Sequence, residues 1–452
     1  MRVHFIAVGG SVMHSLALAL QRQGHQVTGS DDAIYDPARS RLAAAGLLPA
    51  QLGWFPERIT PDLDAVIVGM HARRDNPELQ EARRRGLPLY SFPSFMYEAT
   101  RNQERIVVAG SHGKTTITSA LLFVLRRLGI RCSYLVGACP PGYDAGLGLD
   151  PEADFAVFEG DEYPAAVFDL RPKFLVYRPR TALISGIAWD HANIYPTPEA
   201  YRAAFAELIA ALPASGILVY NEEDEELRRL VETAGTAVRL QPYRTPPYVS
   251  AEGRFIVEAA GRRFPVRLLG RHNLQNLAGA AALAAELGVS DTDFWAAAAE
   301  FPGAPQRLTR VAEGSGWALF RDFAHAPSKV RATVAALREA FPERPLVACL
   351  ELHTYSSLNP AFLSQYAGTL DAADRAGVFV DPEAARRKGF AVPSAGRLRE
   401  AFGRPDLEAL VSPGDVTLFL TSAPPPATFL LMSSGHLGGL DLEELTRRLA
   451  GK

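Results

Sequence analysis

The β-branched run Ile106-Val107-Val108 gives way to Ala109-Gly110-Ser111-His112-Gly113-Lys114-Thr115-Thr116, and then to apolar positions at helical spacing. Ile117, Ala120, Leu121, Val124, Leu125 and Leu128 repeat until Gly129, which predicts a helix that stops there. A short buried strand that turns through glycines into a helix start leaves the segment little conformational choice. Glycines let backbone N–H groups approach an anion, and the helix N-terminus adds partial positive charge, so the turn reads as a phosphate site. Lys114 would reach the β- and γ-phosphates of a nucleotide, with Thr115 on Mg²⁺. The usual pattern has glycine where Val108 stands, and a plain strand-to-helix turn is the competing reading.

At 452 residues the chain is too long for one ordinary core, and three domains are expected. Its 48% hydrophobic and 21% charged residues are those of a soluble globular protein. With a net charge of −3 and no basic stripe, nothing in the sequence suggests a nucleic-acid surface. Arg83-Arg84-Arg85 reads as a solvated helix end. Cys132, Cys139 and Cys349 neither pair into a framework nor show metal-site spacing, which suits a reducing cytoplasm. The first residues enter a strand without a targeting pattern, and no apolar run could span a bilayer, so a cytosolic protein without a membrane partner is expected.

Strands and helices alternate through the first hundred residues. Val3 to Val8 is a strand, Val12 to Gln23 a helix closed by Gly24, Gln26 to Ser30 a second strand and Ala65 to Val68 a further one. This βαβ unit favours a parallel, Rossmann-like sheet, with Asp31 about twenty residues after Gly9-Gly10, where a ribose contact is expected. The third glycine of a dinucleotide fingerprint is missing, Met13-His14 standing in that region, which argues against a nicotinamide oxidoreductase. The second segment adds strands at Phe155 to Phe158 and Thr181 to Ser185 and a helix at Leu277 to Leu287, and Phe301-Pro302-Gly303-Ala304-Pro305 breaks the pattern. In the third, Trp317 to Arg321, Val330 to Ala340, Leu346 to Leu350, Gly377 to Val380 and Val416 to Leu420 alternate as in another small α/β unit. The expected fold class is therefore α/β in three domains. Residues 1–103 are Rossmann-like, 104–302 form a central phosphate-loop domain with a mostly parallel sheet, and 303–452 are again Rossmann-like.

Glu159-Gly160-Asp161-Glu162 follows a strand, which puts its acids at the carboxyl end of a sheet, where open α/β folds bind ligands and carboxylates can hold Mg²⁺. A solvated acidic turn is the alternative. His191, in Trp189-Asp190-His191-Ala192-Asn193, could ligate a second cation, although Mg²⁺ prefers oxygen donors. Asn273 and Asn276 stand a turn apart in Gly270-Arg271-His272-Asn273-Leu274-Gln275-Asn276, where amides cap a helix or read a nucleobase edge. Asp322, before Phe323-Ala324-His325-Ala326-Pro327, can accept from ribose hydroxyls, and Arg307 could neutralise phosphate charge.

Taken in order, these pieces resemble the Mur ligase family of ATP-dependent amide-forming enzymes, over essentially the whole chain. The resemblance implies a UDP-sugar domain, a central ATPase and a C-terminal domain that closes over ATP and receives the amine. It implies that Lys114 contacts the phosphates, that Thr115 and Glu159 hold one Mg²⁺, and that His191 supports a second. Asn273 and Asn276 would contact adenine, Asp322 ribose and Arg307 the phosphates. Gly10, Ser11 and Asp31 would lie near the UDP group, and Asp161, Glu162 and His325 near the other substrates. Phe158-Glu159-Gly160-Asp161-Glu162-Tyr163, Tyr177-Arg178-Pro179-Arg180 and Gly186-Ile187-Ala188-Trp189-Asp190-His191 resemble the branch that joins UDP-N-acetylmuramate to a recycled tripeptide, L-alanyl-γ-D-glutamyl-diaminopimelate. The branch that adds L-alanine alone to the same sugar is the alternative. Phe205 occupies the place where peptide-extending members carry a carbamoylated lysine, which argues for a sugar-acid acceptor. Asn193 replaces an acid, and Ala326 stands where a second histidine is common. Such chemistry needs ATP to convert a carboxylate into an acyl phosphate and a base for the amine, for which His191 and His353 are unsupported candidates. A nucleotide-binding regulator without catalysis is the remaining alternative, and oligomeric state is left open.

Overall fold

The structure, a computed structural model, describes residues 1–189, 194–251 and 253–451 and is mixed α/β with mostly parallel sheets. The chain forms two compact units, one of Met1–Ala188, Pro198–Tyr243 and Ala282–Leu287, the other of Trp189–Thr197, Arg244–Ala281 and Gly288–Lys452. His191, with Asp190 and Asn193, lies outside the described residues.

In the first unit a four-stranded parallel sheet runs Gln26–Ser30, Arg2–Ile6, Ala65–Val68, Leu89–Ser91. Ala65–Val68 is buried along its whole length, as a strand covered on both faces must be, and its uninterrupted Ala-Val-Ile-Val is the composition that permits this. Arg2–Ile6 stops short of Val8 because Ala7 takes a left-handed φ of 69° and swings the chain toward Gly9-Gly10. The helix Ser11–Arg22 ends at Gly24, whose φ of 83° suits only glycine well. Asn76 caps the helix Pro77–Arg84 by accepting from the N–H groups of Glu78 and Leu79. Arg84 and Arg85 lie at that helix's end and pair with Glu81.

A seven-stranded sheet in the same unit runs Arg239–Tyr243, Ile217–Asn221, Thr181–Ile184, Glu104–Ala109, Phe155–Glu159, Cys132–Leu135, Leu147–Gly148. Its strands are parallel except for the last pair. Glu104–Ala109 sits centrally and leads through the glycine turn into the helix Lys114–Arg127.

The second unit holds a three-stranded antiparallel sheet and a six-stranded one in the order Thr309–Gly314, Trp317–Asp322, Ala427–Met432, Leu346–Glu351, Arg375–Phe379, Glu408–Leu410. Only the first pair of the larger sheet is antiparallel. The apolar run Val416 to Leu420 lies within the helix Pro413–Thr421, started by a Ser412–Asp415 capping box. The strand of that region is Ala427–Met432, buried throughout and therefore without the alternation that marks a half-exposed strand. The break expected near Phe301–Pro305 contains Gly303 at φ 100° and is followed by Gln306 at 60° and Leu308 at 39°. Among the described residues no helix is long and apolar enough to cross a membrane.

Candidate active site

The carboxyl end of Glu104–Ala109 opens between two neighbouring strands, and each supplies part of the site. From Thr181–Ile184 come Ser185 and Gly186. The Ser185 N–H donates to Ala109 O (3.0 Å), the Ser111 N–H to Gly186 O (2.9 Å), and the Ser185 hydroxyl to His112 O. Gly110 has φ 125°, and a Cβ there would stand 2.3 Å from Ser185 Oγ and 2.8 Å from Ser185 N. Gly113, at φ 77°, closes the turn as the helix N-cap. The two glycines thus stand where backbone must bend and approach, while Val108 is fully buried strand. The Ser111 hydroxyl is buried and has no hydrogen-bond partner among the described residues. An unsatisfied donor in a turn at a helix N-terminus suits an oxyanion.

From Phe155–Glu159 and the turn after it come three acids. Lys114 Nζ donates to Gly110 O (2.6 Å) and to Glu162 Oε2 (2.9 Å), and the Tyr201 hydroxyl donates to Glu162 Oε1 (3.2 Å). Burial disfavours the Lys114 charge, but Glu162, Asp161 and Glu159 outweigh it and hold the ammonium above its ordinary pKa. Thr115 Oγ1 donates to Glu159 Oε1 (2.8 Å) and the Gly137 N–H to Glu159 Oε2 (2.6 Å). Burial, and next Asp161, push the Glu159 carboxyl upward against those two donors and Lys114. Lys173 pairs with Asp161 at 3.0 Å. The site therefore brings Lys114, Thr115, Glu159, Asp161 and Glu162 together. A buried carboxylate that resists ionisation beside a threonine oxygen is a donor set suited to a hard divalent cation. Among the described residues no group of three or more His, Cys, Asp or Glu forms a complete metal cage. Mg²⁺ needs none, because one or two carboxylates plus substrate phosphates suffice.

At the first sheet, Asp31 Oδ2 accepts from the Gly9 N–H at 2.7 Å, and a Cβ on Gly9 would fall 2.9 Å from the same oxygen. Burial raises the Asp31 carboxyl's pKa against the N–H groups of Gly9 and Ala33, and Asp32 adds to the rise. Gly10 O accepts from His14 Nδ1 (2.9 Å), and the exposed Ser11 begins a helix whose Met13 and His14 are already buried.

The second unit assembles the remaining candidates. Asn273 is buried, its amide donating to Leu269 O (3.0 Å), and the Asn276 amide donates to Asn273 Oδ1 (3.4 Å). Gly270, at φ 87°, leaves no room for a Cβ, which would stand 2.2 Å from Ala336 Cβ. Asp322 is buried, its Oδ1 accepting from the Leu308 N–H (3.2 Å) and its Oδ2 from the Thr333 hydroxyl. Burial lowers the His272 pKa, and Asp322 opposes that shift. Arg307 lies 4.7 Å over the Phe323 ring, and His325 Nδ1 contacts Phe323 O (2.9 Å).

Sequence patterns did not mark Lys173, Tyr201 or Ser185, although each touches the loop or its acids, nor Asp224 beside the neighbouring strand's end. Asp224 accepts from the Ile187 N–H at 3.0 Å. They come from separate segments, and the packing of two helices and a neighbouring strand's end around the loop brings them together. Glu351 was legible in principle, since like Glu159 it ends a buried apolar strand. It accepts from the Ser433 hydroxyl and the Leu437 N–H (3.1 Å), with His353 Nδ1 at 3.7 Å. Phe205 is fully buried against Phe174 and Tyr201, with ring centroids at 5.5 and 5.1 Å.

Comparison with known proteins gives this arrangement a family. Residues 2–104 match the model described as Mur ligase family, catalytic domain, and residues 108–284 match the Mur ligase middle domain. A UDP-N-acetylmuramate–L-alanine ligase of Burkholderia ambifaria is 33% identical over 97% of this chain and 96% of its own. The chain belongs to the Mur ligase family. A UDP-N-acetylmuramate–L-alanyl-γ-D-glutamyl-meso-2,6-diaminoheptandioate ligase of Escherichia coli is 29% identical over 97% of this chain and 96% of its own. A murein peptide ligase structure from Psychrobacter arcticus covers 100% of this chain and 99% of its own, with TM-score 0.65 and 25% identity. The fold also matches a UDP-N-acetylmuramate–alanine ligase of Thermotoga maritima with TM-score 0.71 at 20% identity. Like other Mur ligases, the protein is an ATP-dependent enzyme that forms an amide bond.

Proposed function

We propose that this Mur ligase joins the lactyl carboxylate of UDP-N-acetylmuramate to the amine of L-alanyl-γ-D-glutamyl-meso-diaminopimelate, in the recycling of peptidoglycan. The full-length similarity to ligases of that name in E. coli and P. arcticus carries the reading. ATP supplies the phosphoryl group that converts the carboxylate to an acyl phosphate with release of ADP, and the amine then attacks the acyl carbon, forming the C–N bond as phosphate leaves and the nitrogen gives up a proton. Lys114, kept protonated by Glu162, offers fixed positive charge to the transferring phosphoryl oxygens. The loop from Gly110 to Thr116 presents its N–H groups and the Ser111 hydroxyl. Thr115 and Glu159 would hold Mg²⁺, and the adjacency of their oxygens supports this. Asn273, Asn276, Arg307 and Asp322 are assigned to the nucleotide, Gly10, Ser11 and Asp31 to the UDP group, and Asp161, Glu162 and His325 to the other substrates. The division at 1–103, 104–302 and 303–452 goes with this assignment.

Addition of L-alanine alone is the second reading, favoured by relatives such as the B. ambifaria enzyme. ADP release with UDP-N-acetylmuramate and either the tripeptide or L-alanine separates the two. Turnover with the tripeptide is expected, and turnover with alanine only would overturn the assignment.

A further inference from the structure

A cleft of about 510 Å³ lies at the amino ends of the seven-stranded sheet whose carboxyl ends carry the glycine turn. Arg105, Arg171, Arg178, Arg180, Glu207 and Pro213 are among the residues that line it. Arg105 is the second residue of its strand, and Arg180 directly precedes the strand Thr181–Ile184. Six strand residues, roughly 20 Å at 3.3 Å each, separate this end from the turn. Arg171, Arg178 and Arg180 lie close in sequence, and parallel pairing of Thr181–Ile184 with Glu104–Ala109 brings Arg105 to them.

Two of the four are neutralised. Asp169 holds Arg171 through two bonds of 2.9 and 2.6 Å, and Glu104 holds Arg180 at 2.8 Å. Glu207 is the cleft's own carboxylate. Arg105 and Arg178 have no carboxylate partner among the described residues. Instead they share the Tyr97 ring, each guanidinium carbon 4.8 Å from its centroid. Arg105 Nη1 is held by the carbonyls of Thr100 and Gln103 at 3.0 Å each. Its Nε donates to the carbonyls of Tyr177 (2.9 Å) and Arg178 (3.3 Å), fixing a turn in which Arg178 takes φ 46°. That left-handed conformation is unfavourable for a residue with a side chain and persists only where its surroundings enforce it. Here it sets an exposed guanidinium beside a second one, on an aromatic ring, with no acid paired to either.

We propose that the cleft binds a phosphorylated small molecule through Arg178 and Arg105, at a site separate from the glycine turn. The Arg178 fork matches phosphate oxygens, Arg105 adds its charge and Nη2 because its Nε and Nη1 are held by backbone carbonyls, stacking on Tyr97 preorders both, and the volume falls in the range of small-ligand sites. The assignment does not rest on the ligase's substrates. Pyrophosphate is titrated calorimetrically at low salt into a Lys114→Ala chain, whose glycine-turn site is disabled and whose fold is verified by circular dichroism. One salt-sensitive site is expected to remain. Adding Arg178→Ala should weaken it by about tenfold or more, and Arg178→Lys by less, since the charge is kept and the fork lost. Arg178→Gln serves as a second variant should Arg178→Ala not fold. UDP and ADP run as parallel arms. Counting only the binding that Arg178→Ala removes, since UDP and ADP also have the sites assigned above, tighter binding than pyrophosphate identifies a nucleotide and equal binding shows that the inorganic anion suffices. Absence of pyrophosphate binding to the Lys114→Ala chain, or affinity within about twofold across the arginine variants, would overturn the proposal.

Discussion

Lys114 is the residue assigned above to the transferring phosphoryl group, and its surroundings explain why it can stay charged while buried. Glu162 accepts from it, and Tyr201 satisfies the other oxygen of that carboxylate. Lys114→Ala is expected to lower the rate of ADP release by roughly 10²–10³-fold, the usual scale for losing one preorganised donor, with an unchanged circular dichroism spectrum. Glu159 predicts a pH dependence. Its carboxyl binds a proton more tightly folded than unfolded, because it is buried and faces Asp161. Its contribution to ligand-free stability is therefore greatest at acid pH and falls as pH rises from the ordinary carboxylate range through the raised value. With Mg²⁺ on Glu159 as proposed, the ion would compete with that proton, so apparent Mg²⁺ affinity in an ADP-release assay should increase over the same rise, and Glu159→Gln should remove the trend. Glu159 and Lys114 were legible because each sits beside a recognisable strand or glycine turn. Tyr201 and Lys173 were not, since a tyrosine in an apolar helix and a lysine before Phe174 carry no local mark of what they meet.

At the level of elements, the glycine turn is held as much by the neighbouring strand as by its own residues. Gly110→Ala would drive a Cβ into Ser185 at φ 125° and should destabilise by about 1–3 kcal/mol while weakening nucleotide binding, read by chemical denaturation and ADP titration. Gly129→Ala, at φ 72° with nothing within 4 Å of its Cβ, should cost about 1 kcal/mol and leave nucleotide binding intact. The first sheet has a different anchor. His4, 0% exposed, bonds Thr28 (2.8 Å) and the equally buried Glu78 (3.3 Å), whose other oxygen accepts from the Phe55 N–H (2.7 Å). Glu78→Ala leaves both partners unsatisfied and should destabilise by roughly 3–5 kcal/mol. Central strands such as Ala65–Val68, Phe155–Glu159 and Leu346–Glu351 announced themselves by their apolar composition. Ala427–Met432 did not, since a fully buried parallel strand lacks alternation and lies close behind an apolar helix. Glu78 was hidden for a related reason, reading as one more surface acid of a polar helix until His4 and Phe55 are brought to it.

Over the whole molecule, two compact units with separate sheets make unfolding in more than one step the natural expectation. The first unit contains Lys114, Thr115 and Glu159, and the second contains Asn273, Asn276 and Asp322. A ligand stabilises what it binds by RT ln(1 + [L]/Kd), about 2.7 kcal/mol at a hundredfold excess over Kd. If the nucleotide assignments are correct, ADP with Mg²⁺ should raise both calorimetric transitions. Lys114→Ala should abolish the shift of the first. Asn276→Ala should reduce the shift of the second while leaving the first in place, because among the described residues the Asn276 amide makes a 3.4 Å contact to Asn273 and its removal leaves the buried Asp322 network intact. A second transition that ADP never moves would withdraw Asn273, Asn276 and Asp322 from the nucleotide and leave Lys114, Thr115 and Glu159 as its binding residues, the part of the site that the glycine turn made readable from sequence.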